Sequence, residues 1–160
     1  MEALRTVTLV LGTVSVGMVA GIYYGWSVSV MPGLARTDDR TFVAAFQAMD
    51  KAIVRAPFLT VFGGSLALTA LAVLLHLGQG QRDALPWAAA AFVLYLLTIV
   101  TTGRFNIPRN NTLQDVGDPD GTDVAAARER FDEATWVRWH NVRTVLCVIA
   151  LVCMVVALTR

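Results

Sequence analysis

The sequence predicts an all-α fold: a four-helix transmembrane bundle with an interfacial amphipathic helix between spans 1 and 2 and a long loop-plus-helix connection between spans 3 and 4. Three observations carry that expectation. Of the 160 residues, 56% are hydrophobic and only 16% charged, and the uncharged positions gather into four runs, residues 6–35, 56–81, 84–103 and 144–159. A soluble domain of this length carries nearer a quarter charged residues, whereas roughly 20 apolar residues cross about 30 Å of hydrocarbon as a helix. The chain is therefore expected as a single integral membrane domain, 1–160, with spans near 6–34, 56–78, 84–103 and 140–159. A formal net charge of +1 leaves no basic field to attract nucleic acid, which is excluded as a partner.

The first run follows a short basic start, as a signal peptide would. It is too long for such a peptide's apolar region, and Tyr23, Tyr24 and Trp26 stand where a cleavage site needs small residues, so it reads as a retained span. Along it Thr13, Gly17, Gly21, Gly25 and Ser29 recur every four residues. Small side chains at that spacing let a second helix approach closely. The Gly17/Gly21/Gly25 face suits a homo-oligomer seam or, as a four-helix bundle more generally requires, a contact within the bundle.

The next connection, residues 36–55, reads as a helix lying flat on the membrane surface. Phe42, Phe46, Met49 and Ile53 recur at spacings of three and four, Arg40, Gln47, Lys51 and Arg55 fill the other face, and Thr37, Asp38 and Asp39 offer caps. Spans 2 and 3 are joined by a short connection around "GQGQRDALP". After span 3 comes "GRFNIPRNNTLQDVGDPDGTD", whose Gly, Pro, Asn and Asp content predicts a bend at Asn106–Pro108 and no long helix. The acids Asp115, Asp118, Asp120 and Asp123 have the wrong spacing for a calcium loop and lack its terminal Glu, so turns and helix capping account for them. A helical pattern resumes at Asp123 and is expected to run into the fourth span.

That span has the shortest uncharged run, which reaches only about 24 Å at 1.5 Å per residue. Arg143 or Arg160 must then snorkel, or Arg143 must sit inside the bundle near the interface. On a helix Trp136, His140, Arg143 and Cys147 form one stripe. Buried, Arg143 demands an acceptor or an anionic ligand, and His140 can exchange a proton near neutral pH. The plainer alternative is an interfacial belt, with Trp136 and Trp139 at headgroup level and the arginines on lipid phosphate.

Topology bears on that choice. Four spans put both long connections on one side, with four and six Lys and Arg against the three of Arg5, Arg82 and Arg160 opposite, which predicts cytoplasmic connections and outer termini. The exit of span 1, the Asn106–Asn110–Asn111 stretch with Pro108, and the start of span 4 then converge at one face, where irregular backbone is tolerated if it lines a cavity. The same topology separates His76 from His140, which excludes a bis-histidine haem within one chain. Cys147 and Cys153, about 9 Å apart along one helix, cannot form a disulfide. One histidine with a distant thiol is a poor metal signature, so neither metal nor cofactor is expected. Walker, G-x-S-x-G, C-x-x-C and dinucleotide motifs are missing from the sequence.

With these residues placed, the chain resembles the anthrone-oxygenase-like family of small integral membrane proteins, catalogued as a domain of unknown function. "YYGWSVSVMPGL", "FVAAFQAMDKAI", "FNIPRNNTL" and "RWHNVRT" carry the resemblance in order over nearly the whole chain. It implies a four-helix membrane bundle and, from characterised fungal members, oxidation of anthrones to anthraquinones by molecular oxygen without a conventional cofactor. The matching positions are Pro32, Gln47, Asn106, Pro108, Asn110, Trp139, His140 and Arg143, while Asp50 stands where the resemblance puts an asparagine.

On that reading His140 takes a proton from the acidic CH2 of a hydrophobic aromatic substrate arriving through the lipid. Arg143, Asn106 and Asn110 stabilise the enolate oxygen. Tyr23, Tyr24, Trp136 and Trp139 supply aromatic walls, and Pro32, Gln47 and Asp50 complete the substrate side. The alternative is a non-catalytic binder of lipid or quinone, or an assembly partner. A small transporter or channel is disfavoured because no span carries a charge near its middle. The expected location is a bacterial plasma membrane, with lipid and a hydrophobic small molecule as partners.

Overall fold

The structure, a computed structural model, describes residues 1–78 and 83–160. Residues 79–82 of the short connection expected around "GQGQRDALP", Arg82 included, lie outside the described residues. In chain order the helices are α1 (Glu2–Leu34), α2 (Asp39–Ile53), α3 (Ala56–His76), α4 (Leu85–Gln114), α5 (Val124–Phe131) and α6 (Glu133–Leu158). Among the described residues there is no strand, and α1, α3, α4 and α6 are each long and apolar enough to cross a membrane. The chain is an integral, multi-pass, all-α membrane protein.

The spans form a closed ring of neighbours, α1 on α3 and α6, and α4 on α3 and α6. Three apolar clusters stack along it. Leu9, Ala72, Ala88 and Met154 fill the end near the termini, Val16, Val19, Tyr95 and Ala150 the middle, and Phe42, Phe46, Leu113, Phe131 and Trp136 the end near the long connections. Val14, Leu74, Val93 and Val152 are exposed on the outside, the surface a hydrocarbon solvent requires.

Two spans run through a proline, and α4 continues to Gln114, past the end its composition suggests. Proline lacks an amide N–H and its ring clashes with the carbonyl four residues back, which should break a helix. Instead α1 and α4 each widen into five residues of π-helix, Trp26–Val30 and Thr102–Asn106, and then resume as α-helix. The N–H of Met31 reaches back five residues to Trp26, and that of Ile107 to Thr102, and each prolines follows directly, Pro32 in one case and Pro108 in the other. The looser turn moves the offending carbonyl aside. The expected bend at Asn106–Pro108 is thus a bulge inside a helix that continues to Gln114.

The fourth span also starts earlier than expected, and it is not continuous with the helix before it. Asp132 adopts left-handed backbone, φ 54 and ψ 66, ending α5 at Phe131. Its carboxylate then accepts from the Thr135 amide at 3.2 Å and caps α6. The left-handed conformation, which an aspartate tolerates better than most residues, turns the chain so that α5 packs beside α2 while α6 enters the bundle.

The amphipathic helix α2 is capped by Asp38, which accepts from Thr41. Its apolar face is sealed by protein rather than by lipid. Phe46 meets Phe131 and Trp136 edge-on at 4.8 and 5.6 Å, and Arg128 lies over Phe42 while pairing with Asp39 and Glu133. The glycine stripe is not needed for close packing within the bundle: a Cβ at Gly21 or Gly25 would meet nothing within 4 Å, and one at Gly17 only Leu151. The close approach is at Gly12, off the stripe, where a Cβ would stand 2.7 Å from Met154 Cε.

Asp38 and Asp132 are both held below the ordinary carboxylate value, first by the hydroxyl and then by the amide of Thr41 and Thr135 respectively. Their capping contribution is complete above about pH 4 and is lost as pH falls through the lowered values. A D38N/D132N variant is expected to keep its Tm at neutral pH, since asparagine caps and accepts left-handed backbone, and to lose less Tm than wild type on titration to pH 3. D132A, which can do neither, should melt earlier at every pH.

Candidate functional site

The polar stripe of α6 points into the bundle: Trp136, His140, Arg143 and Cys147 are all buried, Arg143 at 7% exposure. A guanidinium has five N–H groups. Arg143 directs Nε and Nη2 at His140 Nδ1, at 3.1 and 2.7 Å, and Nη1 at Thr102 Oγ1, at 3.2 Å. Its carbon lies 4.4 Å from the centre of the Tyr23 ring. Among the described residues no carboxylate comes within 4.0 Å of it. The three bonds to His140 and Thr102 use three of the five N–H groups.

The neighbours' protons follow from the same contacts. A carbonyl can only accept, so His140 Nε2 carries the hydrogen that reaches Tyr23 O at 3.0 Å, and Nδ1 is the lone pair that receives Arg143. Thr102 donates to the Thr98 carbonyl at 2.8 Å, so it accepts from Arg143 and from the Tyr23 hydroxyl. Both nitrogens of His140 are committed. The Trp136 ring stacks on His140 at 4.7 Å, and a base at this position, as the sequence suggests, would first have to give up the Arg143 contact.

Beside this group lies a cavity of about 170 Å³. Tyr23 and Trp26 of α1, Phe46 and Asp50 of α2, Phe58 and Phe62 of α3, Thr102 and Asn110 of α4, and Trp136, His140 and Arg143 of α6 line it. Its rim includes Ile22, Val54, Leu59 and Ile107, all exposed on the outer surface, so the opening is apolar. The same cavity is lined by a second polar set. Trp136 Nε1 donates to Asn110 Oδ1 at 2.7 Å, Asn110 Nδ2 donates to Asp50 Oδ1 at 2.7 Å, and Gln114 Nε2 donates to Asp50 Oδ2 at 3.0 Å.

The structure therefore brings together Tyr23, Asp50, Asn110, Trp136, His140 and Arg143, and leaves five other expected residues off the cavity wall. Tyr24, one step of 100° around the helix from Tyr23, is 60% exposed on the outer face. Trp139, likewise one step from His140, stacks on Phe105 at 3.6 Å. Pro32 is exposed beyond the π segment. Gln47 is buried but donates to the Leu113 and Gly117 carbonyls at 2.6 and 2.9 Å, which pins the loop. Asn106 donates to the Trp136 carbonyl at 3.2 Å, and its Oδ1 has no partner.

Thr102 and Trp26 were missed from the sequence. Each opens a π segment six residues before a proline, the one local signal that marks them. No three His, Cys, Asp or Glu side chains gather to hold a metal among the described residues.

These features define a class: a polytopic membrane protein with an aromatic pocket and an apolar rim, in which a buried cation has no counter-ion among the described residues. A family model described as anthrone oxygenase matches residues 57–153, more than half of the chain, and the protein belongs to that family. No curated protein and no solved structure matches it.

His76 Nδ1 donates to the Ala72 carbonyl at 2.7 Å, so Nδ1 carries a hydrogen in His76, whereas in His140 Nδ1 is expected bare with the hydrogen on Nε2. Nitrogen-15 NMR of labelled protein at neutral pH checks this, and a doubly protonated His140 would contradict the assignment. Gln47→Ala strands two carbonyls and is expected to cost about 2 kcal/mol, measured as loss of thermal stability in detergent.

Proposed function

We propose that this protein is a membrane oxygenase that draws an anthrone-like aromatic ketone from the lipid and oxidises its CH2 group to a carbonyl with molecular oxygen. The balance is one CH2 and one O2 giving one C=O and one water. The CH2 proton is acidic because the carbanion left behind spreads over the rings onto the ketone oxygen. That carbanion can itself reduce oxygen, so the protein need supply a base, a donor for the enolate oxygen and a dry pocket.

The observation that carries this reading is Arg143, a buried guanidinium without a carboxylate, facing an apolar cavity. A neutral lipid tail gives such a group nothing, whereas an enolate oxygen gives it the missing acceptor. A cavity of about 150 Å³ holds a benzene molecule. The enclosed volume of about 170 Å³ therefore suits one ring of a fused tricycle, with the remainder among Ile22, Val54, Leu59 and Ile107 at the rim.

A non-catalytic holder of lipid or quinone is the competing reading, favoured by the commitment of both His140 nitrogens. Gently extracted protein would then carry a stoichiometric amphiphile in a native mass spectrum and turn nothing over. On the proposed reading, membranes containing the protein consume one O2 per anthrone and release anthraquinone, followed with an oxygen electrode and by absorbance. Arg143→Gln should lower kcat/KM by at least about 100-fold, the usual effect of removing an oxyanion donor. Membranes with the wild-type protein that oxidise anthrone no faster than empty membranes would dismiss the proposal.

A further inference from the structure

Four ionisable side chains line the cavity: Tyr23, Asp50, His140 and Arg143. Three of them have no free basic lone pair to offer an acidic ligand, the Tyr23 oxygen being that of a neutral phenol. Arg143 is a donor only, His140 spends Nδ1 on Arg143 and Nε2–H on Tyr23 O, and the Tyr23 hydroxyl donates to Thr102. Cys147, one turn beyond Arg143, is aimed at the Val16 carbonyl at 3.8 Å and is not on the wall.

Asp50 is different. An indole N–H can only donate, so Trp136 fixes the Asn110 oxygen toward itself and turns the Asn110 amide nitrogen toward Asp50. Gln114, anchored by a second bond to the Gln47 carbonyl at 3.2 Å, donates to the other carboxylate oxygen. Asp50 therefore accepts on both oxygens. Each carboxylate oxygen has about two acceptor sites, so one remains on each. Among the described residues no cation lies within 4.0 Å of Asp50 to occupy them.

We propose that Asp50 is the catalytic base of this pocket, its carboxylate taking the proton from the acidic carbon of a ligand whose oxygen is held by Arg143. The C–H bond breaks and an O–H bond forms on Asp50. The electron pair stays on the ligand and delocalises to the oxygen facing Arg143. Asp50 becomes neutral as the ligand becomes an anion, and the proton leaves to water, or to reduced oxygen, when the cycle closes. An aspartate base opposite strong hydrogen-bond donors is an established arrangement for removing a proton next to a carbonyl. The inference takes its acidic ligand from the proposed function but does not depend on the oxygen step.

The test separates the two. Full-length protein in nanodiscs is given anthrone in D2O without oxygen, and loss of the CH2 proton signal is followed by NMR. Wild type is expected to exchange faster than empty nanodiscs. Asp50→Asn should slow that exchange by at least about 100-fold, the lower end of what a positioned base contributes, while anthrone still binds with unchanged affinity. Asp50→Glu should keep part of the rate, and formate should restore Asp50→Ala, which a merely structural role would not allow. An Asp50→Asn protein exchanging like wild type, or a wild type no faster than empty nanodiscs, overturns the assignment. Exchange without oxygen uptake in air would remove the oxygenase reading and leave the base in place. Oxygen uptake that survives Asp50→Asn would do the reverse.

Discussion

Removing a guanidinium from water costs several kcal/mol unless acceptors replace the water it loses, and Arg143 receives a histidine nitrogen, a threonine hydroxyl and an aromatic face in place of a carboxylate. Each substitute imposes a condition on a different span. His140 can serve as acceptor only if its hydrogen sits on Nε2, which in turn needs the Tyr23 carbonyl of α1. Thr102 can serve only if its own proton goes elsewhere, and it goes to the Thr98 carbonyl of α4. The positions of α1, α4 and α6 at this level are thus tied to one charge. Truncating either neighbour leaves that charge with too few acceptors, so a loss of activity in such variants reflects orientation of Arg143 as well as chemistry.

The two π segments explain how three spans reach that charge together. A regular α-helix places side chains in fixed steps of 100°, and inserting one residue into a turn rotates everything beyond it. Trp26 and Thr102 open the two insertions, line the cavity, and stand at the same offset before Pro32 and Pro108. Without the prolines neither helix would have reason to loosen. With them, α4 continues far enough past the bulge to bring Asn110 and Gln114 under α2. Widened turns of this kind recur at functional sites, and here the first residue of each, Trp26 and Thr102, lies on the pocket wall.

How far this was legible follows from which signals are local. The four spans, the capped α2 and the buried stripe of Trp136, His140 and Arg143 come from length, composition and a period of 3.6, which a single segment displays without its neighbours. Tyr24 and Trp139 were misplaced because a resemblance names strings of residues, while a helix separates adjacent ones by 100°, so Tyr23 and His140 face inward and their neighbours do not. The π turns were hidden because a proline at the end of an apolar run, Pro32 after Met31 or Pro108 after Asn106 and Ile107, reads as a break, and only tertiary packing decides whether the helix resumes. The sealing of α2 was hidden for a related reason: an amphipathic face fits lipid or protein equally well until Phe131 and Trp136 are brought against Phe42 and Phe46. The role of His140 turns on which partner each ring nitrogen meets, and no sequence pattern encodes that.

Keeping Asp50 and Arg143 in separate networks has a chemical consequence. Had they met, the pair would have satisfied itself and left neither group for a ligand. Asp50 instead belongs to the amides of α4 through Asn110 and Gln114, and Arg143 to His140 and Thr102, with the aromatic cavity between them. A neutral acid entering that space can pass its proton to Asp50 while its negative charge forms beside Arg143. The pocket then holds one anion and one cation before the step and one anion and one cation after it. No additional charge is buried at the barrier, and the anion moves toward a cation already fixed in place, which is the circumstance in which preorganised donors lower a barrier most. Away from water, where solvent cannot reorganise to help, that arrangement is what the proposed transfer of a proton from a weak carbon acid to a carboxylate requires.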